Sequence, residues 1–435
     1  MRPALHERGH GMALNIRVLR VLATAIVVFG LAGQSQVQGA PNLSVLWAFG
    51  GLEANDGNTL NAPLIADDHG NLYGTTGGGG DKGALSRGTV FELMPPARGQ
   101  TQWSEKILWT FLGPDGAAPA GGLIADARGN LYSTTETGGA NGINGTVFEL
   151  TPPGPQETQW SERVLWSFSG GSDGGIPFAG LIMDRRGNLY GTTAAGGLGY
   201  GVVFELTPPA RGETQWSESV LWTFSGGSDG NDPAAGLLMD RGGNLYGTTA
   251  FGGNGCGVVF ELTPPRGGML WSERVLWSFT CGLDGAKPLA SLIMDRRGNL
   301  YGTTSAGGMF SNGVAFELLP PAREGFKWSE RVLWSFSGGS DGSAPVANLL
   351  MDDKGNLYGT TFLGGAVYDD GTVFELMPPA RGGTQWSERV LWALADSRDG
   401  AEPKAGLIAD AKGNLYGTAS VEGPNGGGTA FKITP

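Results

Sequence analysis

Carboxylates are the side chains best placed for chemistry, because they recur in register. Asp67, Asp126, Asp184, Asp240, Asp295, Asp352 and Asp410 form one series, and Asp56, Asp115, Asp173, Asp229, Asp284, Asp341 and Asp399 a second. Paired carboxylates can act as general acid and base or hold Ca2+ through oxygen ligands. Aspartate beside glycine is also ordinary turn chemistry, and a residue present in every copy of a repeat serves the repeat, so a structural role is expected for both series. A third series, Glu92, Glu149, Glu205, Glu261, Glu317 and Glu375, becomes Lys432 in the last copy. A position that accepts a charge reversal is expected to be solvated.

Histidine is scarce: His6 and His10 precede the repeats, leaving His69 alone in a turn. A Ser-His-Asp triad or a zinc site has little to draw on. Cys256 and Cys281 are the only thiols. If Phe260 faces Trp277 in a hairpin, Cys256 faces Cys281, and a structural cross-strand disulfide is expected. No cofactor is expected, Ca2+ being the one the carboxylates would accept.

The elements that carry these residues are seven copies of one unit. Asn-Leu-Tyr recurs at Asn71, Asn130, Asn188, Asn244, Asn299, Asn356 and Asn414, at spacings of 55 to 59 residues. In the third copy, residues 180–184, 189–193, 202–206 and 217–224 read as four short strands separated by turn residues. Four antiparallel strands repeated seven times predict an all-β fold, a seven-bladed β-propeller. The chain after residue 40 opens on the fourth-strand phrase, Val45-Leu46-Trp47-Ala48-Phe49, and ends on the third, Thr429-Ala430-Phe431-Lys432-Ile433. The first strand is therefore expected to complete the last blade, closing the ring and removing its open edge. All thirteen Trp are repeat positions, expected to pack between blades.

Residues 1–40 read as a secretory signal peptide: Arg2, Arg8, Arg17 and Arg20 precede an apolar run from Val21 to Ala32, with small residues near Ala40. Residues 41–435 then form a single propeller domain. Removing the leader takes a net +3 from a formal charge of -12, leaving -15. Such an acidic protein, without a basic run, suits neither nucleic acid nor anionic membranes. The expectation is a monomer, secreted or periplasmic, with no membrane insertion once the leader is removed.

The phrases Gly-Asn-Leu-Tyr-Gly-Thr-Thr, as at 70–76, and Gly-Thr-Val-Phe-Glu-Leu, at 371–376, resemble the GloVer tandem repeat of bacterial exported proteins over essentially all of 41–435. The resemblance implies an exported propeller-type repeat protein. Family members often carry C-terminal anchoring segments, and none follows Ile433 in this sequence.

What the repeat leaves unexplained is a set of aromatics. Tyr200, Phe251, Phe310, Phe362 and Tyr368 fall in or beside the loops between second and third strands, and Phe178 in a loop leading into a first strand. A propeller puts both loop sets on one face. Function on a repeat scaffold gathers in its variable loops, so these six are the candidate binding residues for a glycan or protein. The alternatives are a carboxylate-based hydrolase or lyase on the same face, or a purely structural envelope protein.

Overall fold

The recurring seven-residue phrase folds as a turn followed by a strand, and each of its residues has its own task. The computed structural model describes residues 40–50, 55–80, 86–265, 267, 270–322, 327–365, 369–380 and 383–435. In blade 3, Gly187 takes φ +86°, the left-handed conformation the turn requires. Asp184 accepts from the backbone N–H of Arg186 and Asn188 at 2.8 and 2.9 Å, and from Asn188 Nδ2 at 3.2 Å. Leu189 is buried in the core. A Cβ on Gly191 would stand 2.6 Å from the Phe204 ring, so this glycine makes room for the next strand's phenylalanine. Thr192 Oγ1 donates to the carbonyl of Ala235 in blade 4 at 2.9 Å, and Thr193 Oγ1 to Ala195 O of its own loop at 2.9 Å.

Seven four-stranded antiparallel sheets result. Blade 3 comprises Ile182–Met183, Leu189–Thr193, Val202–Thr207 and Ser217–Thr223. The Thr192 bond recurs from blade to blade, at Thr134 to Ala179, Thr248 to Ala290, Thr303 to Ala347 and Thr360 to Ala405. Each hydrophobic cluster likewise spans a seam: Tyr190 and Val203 of blade 3 pack with Leu245 and Phe260 of blade 4. Buried phenylalanine pairs staple these seams, as Phe168–Phe204 at 5.1 Å and Phe279–Phe316 at 5.2 Å.

The last sheet contains Ile408–Ala409, Leu415–Ala419, Thr429–Thr434 and, as its outer strand, the N-terminal Asn42–Ala48. That strand pairs with Thr429–Thr434 from Asn42 opposite Thr434 to Ala48 opposite Thr429. Thr418 Oγ1 donates to Ala62 O at 3.5 Å, and Phe49 meets Phe91 at 4.9 Å, so the seam between blades 7 and 1 repeats the others. The ring is closed. No helix among the described residues is long and apolar enough to cross a membrane.

Three local expectations change. The innermost strand of blade 3 pairs only at Ile182–Met183 rather than over 180–184. A β-bulge in the outer hairpin of blade 4 sets Val259 opposite Trp277 and Phe260 opposite Val275, one position from the expected register before the bulge and two after it. The glutamate series is less solvated than expected: Glu92, Glu149 and Glu205 are half-buried, Glu261 is buried, and Glu317 is 3% exposed and Glu375 5%. Tyr301 Oη donates to Glu317 Oε1 at 2.8 Å, and Arg331 forms an ion pair with the same carboxylate. In blade 7, Lys432 takes the glutamate's place with Nζ over the Tyr416 ring, 5.9 Å from its centre. A cation over a π face serves where a carboxylate–hydroxyl bond serves elsewhere, which is why the reversal is accepted.

Cys256 and Cys281 are joined by a disulfide, Cα to Cα 5.4 Å. The bond is the covalent form of a contact other blades make without it. Asn144 lies against Gly170 and Tyr200 against Gly226, where an added Cβ would meet those side chains at 2.7 and 2.6 Å. Cys281 occupies the equivalent position and shares its positive φ, +65°. The linkage spans 25 residues. A Cys256→Ser/Cys281→Ser variant is therefore expected to lose roughly 3 kcal/mol in denaturant unfolding. Cys256→Asn/Cys281→Gly, which restores the pairing of blade 2, is expected to lose less.

Candidate functional site

The loop face is built by two sets of loops in each blade. The loop entering the inner strand meets the loop between second and third strands through paired backbone bonds, as Gly175 with Ala195, Asn231 with Phe251 and Ala286 with Ala306. The next residue of the entering loop takes a left-handed φ in every blade: Thr59, Ala118, Ile176, Asp232, Lys287, Ala344 and Glu402, at 50 to 63°. None is glycine, and the conformation costs energy for side chains of this kind. It is held from both sides: Ile176 N–H donates to Asn144 O of blade 2 at 2.9 Å, and Ala194 N–H donates to Ile176 O at 3.1 Å. Seven positions carrying six kinds of side chain are thereby fixed around one end of the ring.

On this frame Phe178, Tyr200, Phe251 and Phe310 stand 37, 40, 39 and 50% exposed. They share a face but not one environment. Tyr200 lies on Gly226, anchoring its loop while keeping exposed ring surface. Phe251 is covered by Lys287 Nζ at 5.4 Å, and half-buried Phe362 by Lys404 Nζ at 5.2 Å. Tyr368 lies outside the described residues.

Reading aromatics alone missed the aliphatic tips of the same loops. Ile143, Leu198, Leu283 and Met309 are 68 to 75% exposed, and Leu112 is 43% exposed. Of the eleven large apolar side chains exposed among the described residues, nine lie on these loops in blades 2 to 5. A single large aliphatic residue interrupting a glycine-rich loop, as Leu198 does between Gly197 and Gly199, was the available signal.

The aspartate series are engaged in the frame. Asp56, Asp115, Asp341 and Asp399 accept from the indole N–H of Trp47, Trp109, Trp334 and Trp392 at 2.6 to 3.3 Å. The first series caps turns on the opposite face, as Asp184 does. Tyr73, Tyr132, Tyr190, Tyr246, Tyr301 and Tyr358 stand between those aspartates and the glutamates. Burial, followed by the neighbouring carboxylates, raises their hydroxyls well above the ordinary range, which keeps them protonated donors. No three His, Cys, Asp or Glu side chains among the described residues gather to hold a metal ion. Two shallow recesses lie in the outer seams between blades. One, of about 350 Å3, is lined by Trp277, Lys327 and Trp328. The other, of about 240 Å3, is lined by Leu43, Trp392 and Arg398.

A family model described as the Gloeobacter/Verrucomicrobia repeat matches residues 34–216, 155–329 and 326–435. No curated protein matches the chain. Among solved structures, the chain is similar to a proposed 6-phosphogluconolactonase from Bacteroides uniformis at 12% identity and a TM-score of 0.50, over 78% of this chain and 86% of that one. It is also similar to a protein of unknown function from Dyadobacter fermentans at 9% identity and a TM-score of 0.42, over 96% and 99%. At these identities the likeness concerns the fold alone.

Proposed function

The chain belongs to the Gloeobacter/Verrucomicrobia repeat family, and from that premise we propose that it is an exported scaffold, freed of residues 1–40, that binds an extended partner through the loop face of blades 2 to 5. The observation carrying this reading is the concentration of nine of eleven exposed large apolar side chains on one loop set. Scattered apolar residues on a surface need no explanation, whereas a one-sided gathering marks an interaction site. A rigid frame supports it, because each loop is tied both to its own blade and to the neighbouring one, so little order is lost on binding.

Glycan and protein partners form the arms of the test. The exported protein is screened against neutral polysaccharides and envelope proteins, with and without Ca2+, beside a Tyr200→Ala/Phe310→Ala variant. Binding that falls at least tenfold in the variant, with its melting temperature unchanged, is the expected result. Binding that survives both substitutions undiminished places the site elsewhere, and release of product during incubation would instead make the protein an enzyme.

A further inference from the structure

Tryptophans pair across the seams, with one exception. In six of the seven seams, the indole of one blade's outer strand and that of the next blade's Trp-Ser-Glu phrase pack on the same hydrophobic cluster, as Trp47 with Trp103, Trp109 with Trp160 and Trp277 with Trp328. Thirteen tryptophans make six such pairs and leave Trp392, in the seam between blades 6 and 7, without a second indole. Blade 7 draws its outer strand from Asn42–Ala48, and Asn42 stands opposite Thr434 as Ser104 stands opposite Met94. Pro41 therefore holds the position of Trp103, and Leu43 that of Glu105.

The same seam departs from the repeat in charge. It lacks the outer-strand glutamate and gains Arg398, exposed on the short helix Asp396–Asp399. At that position, directly before the aspartate of the second series, the other blades carry Asn55, Pro114, Ser172, Ser228, Leu283 and Ser340, none of them a cation. Here the recess of about 240 Å3 opens, lined by Leu43, Val45, Trp392, Arg398 and Asp399. Asp399 is buried and already accepts from Trp392 Nε1 and from the Ala395 N–H, at 2.6 Å each. Arg398 is thus the exposed charge on an otherwise apolar wall. In the seam between blades 4 and 5, Trp277 and Trp328 line the corresponding recess together, which shows where a second ring belongs. A volume below the ~300–1,000 Å3 of a drug-sized site suits a single ring system.

We propose that this recess binds a planar aromatic group carrying a carboxylate, its ring packed against Trp392 in place of the absent tryptophan and its carboxylate paired with the Arg398 guanidinium. Aromatic pairing favours such a ring over an aliphatic guest, and the guanidinium fork matches a carboxylate. The site lies outside blades 2 to 5, so its failure would leave the loop-face reading untouched, and the reverse holds as well.

The test is calorimetric titration of the exported protein with N-acetyltryptophan, beside N-acetyltryptophanamide, which keeps the ring without the carboxylate, and N-acetylleucine, which keeps the carboxylate without the ring. N-acetyltryptophan is expected to bind at one site, and the other two roughly tenfold more weakly. Arg398→Gln, at an exposed position, is expected to bind the acid and the amide equally. Pro41→Trp supplies the missing ring from the chain itself and is expected to abolish binding while raising the melting temperature. Wild-type protein that does not bind N-acetyltryptophan, or that binds all three probes alike, overturns the proposal. So does an Arg398→Gln variant that still prefers the acid, or a folded Pro41→Trp variant that binds undiminished. The Arg398 arm decides the matter even where Pro41→Trp fails to fold.

Discussion

Deleting residues 41–49 from the exported protein is expected to abolish cooperative unfolding. The strand Asn42–Ala48 supplies the whole outer edge of blade 7, and Leu46, Trp47 and Phe49 fill the seam with blade 1. At ~1.5–3 kcal/mol for each large apolar side chain, the loss approaches the ~5–15 kcal/mol that separates an ordinary native state from its unfolded chain. It also leaves Thr429–Thr434 as an unpaired edge, so the variant is expected to associate through that strand. A milder variant isolates the closing seam. Phe49 is fully buried and meets Phe91 at 4.9 Å, against 5.1 Å for Phe168 and Phe204 in an interior seam. Phe49→Ala and Phe168→Ala are expected to cost the same ~3–5 kcal/mol in denaturant unfolding. A much smaller cost at Phe49 would mean that the ring opens at this seam before it unfolds, and a deletion variant that still melts cooperatively near the parent temperature would show that closure contributes little.

Closure was legible in the sequence because it depends on phrases rather than distances: a fourth-strand phrase with no blade before it and a third-strand phrase with no fourth after it. Blade number followed from seven copies of Asn-Leu-Tyr. Register was less legible. The bulge recurs at Val203/Phe204, Val259/Phe260 and Ala315/Phe316, but an extra residue in one strand is decided by pairing across a loop and leaves no local composition signal. The glutamate series is less exposed than the sequence suggests because Lys432 reads as tolerance of water, when it is a second way to occupy a half-buried position beside Tyr416. On the loop face the aromatics stood out against the repeat while Ile143, Leu198, Leu283 and Met309 did not. Aliphatic residues pass as core in a strand-rich sequence until their exposure is known. The lysines over Phe251 and Phe362 lie 36 and 42 positions further along the chain, beyond any motif.

Acidification from pH 8 to pH 5 is expected to stabilise the protein, against the usual behaviour of carboxylate-rich folds. Glu105, Glu162, Glu218, Glu273, Glu330 and Glu388 begin the outer strands, and in each one carboxyl oxygen is buried without a hydrogen-bond partner. Burial, and then the neighbouring Asp56 and Asp115, push Glu105 and Glu162 up to about 8. The other four rise to about 7, from burial first and then Asp173, Asp229, Asp284 and Asp341 in turn. The ordinary value is 4.5. Below it these carboxyls are neutral whether folded or not, and folding carries no penalty from them. As pH rises, the unfolded chain ionises freely while the folded seam holds its protons, so stability falls through the window from about 4.5 to about 8 and then levels. Six groups acting in one direction should dominate the profile there. The seam between blades 6 and 7 shows what the position is like without a charge, because Leu43 stands there opposite Ile433 as Glu105 stands opposite Leu93. Glu162→Gln/Glu218→Gln/Glu273→Gln is therefore expected to raise the melting temperature at pH 8, leave it nearly unchanged at pH 5, and flatten the dependence between. A melting temperature that climbs from pH 5 to pH 8 in the wild type, or that the triple variant lowers at pH 8, would mean that these carboxyls are ionised and favourably held in the seams.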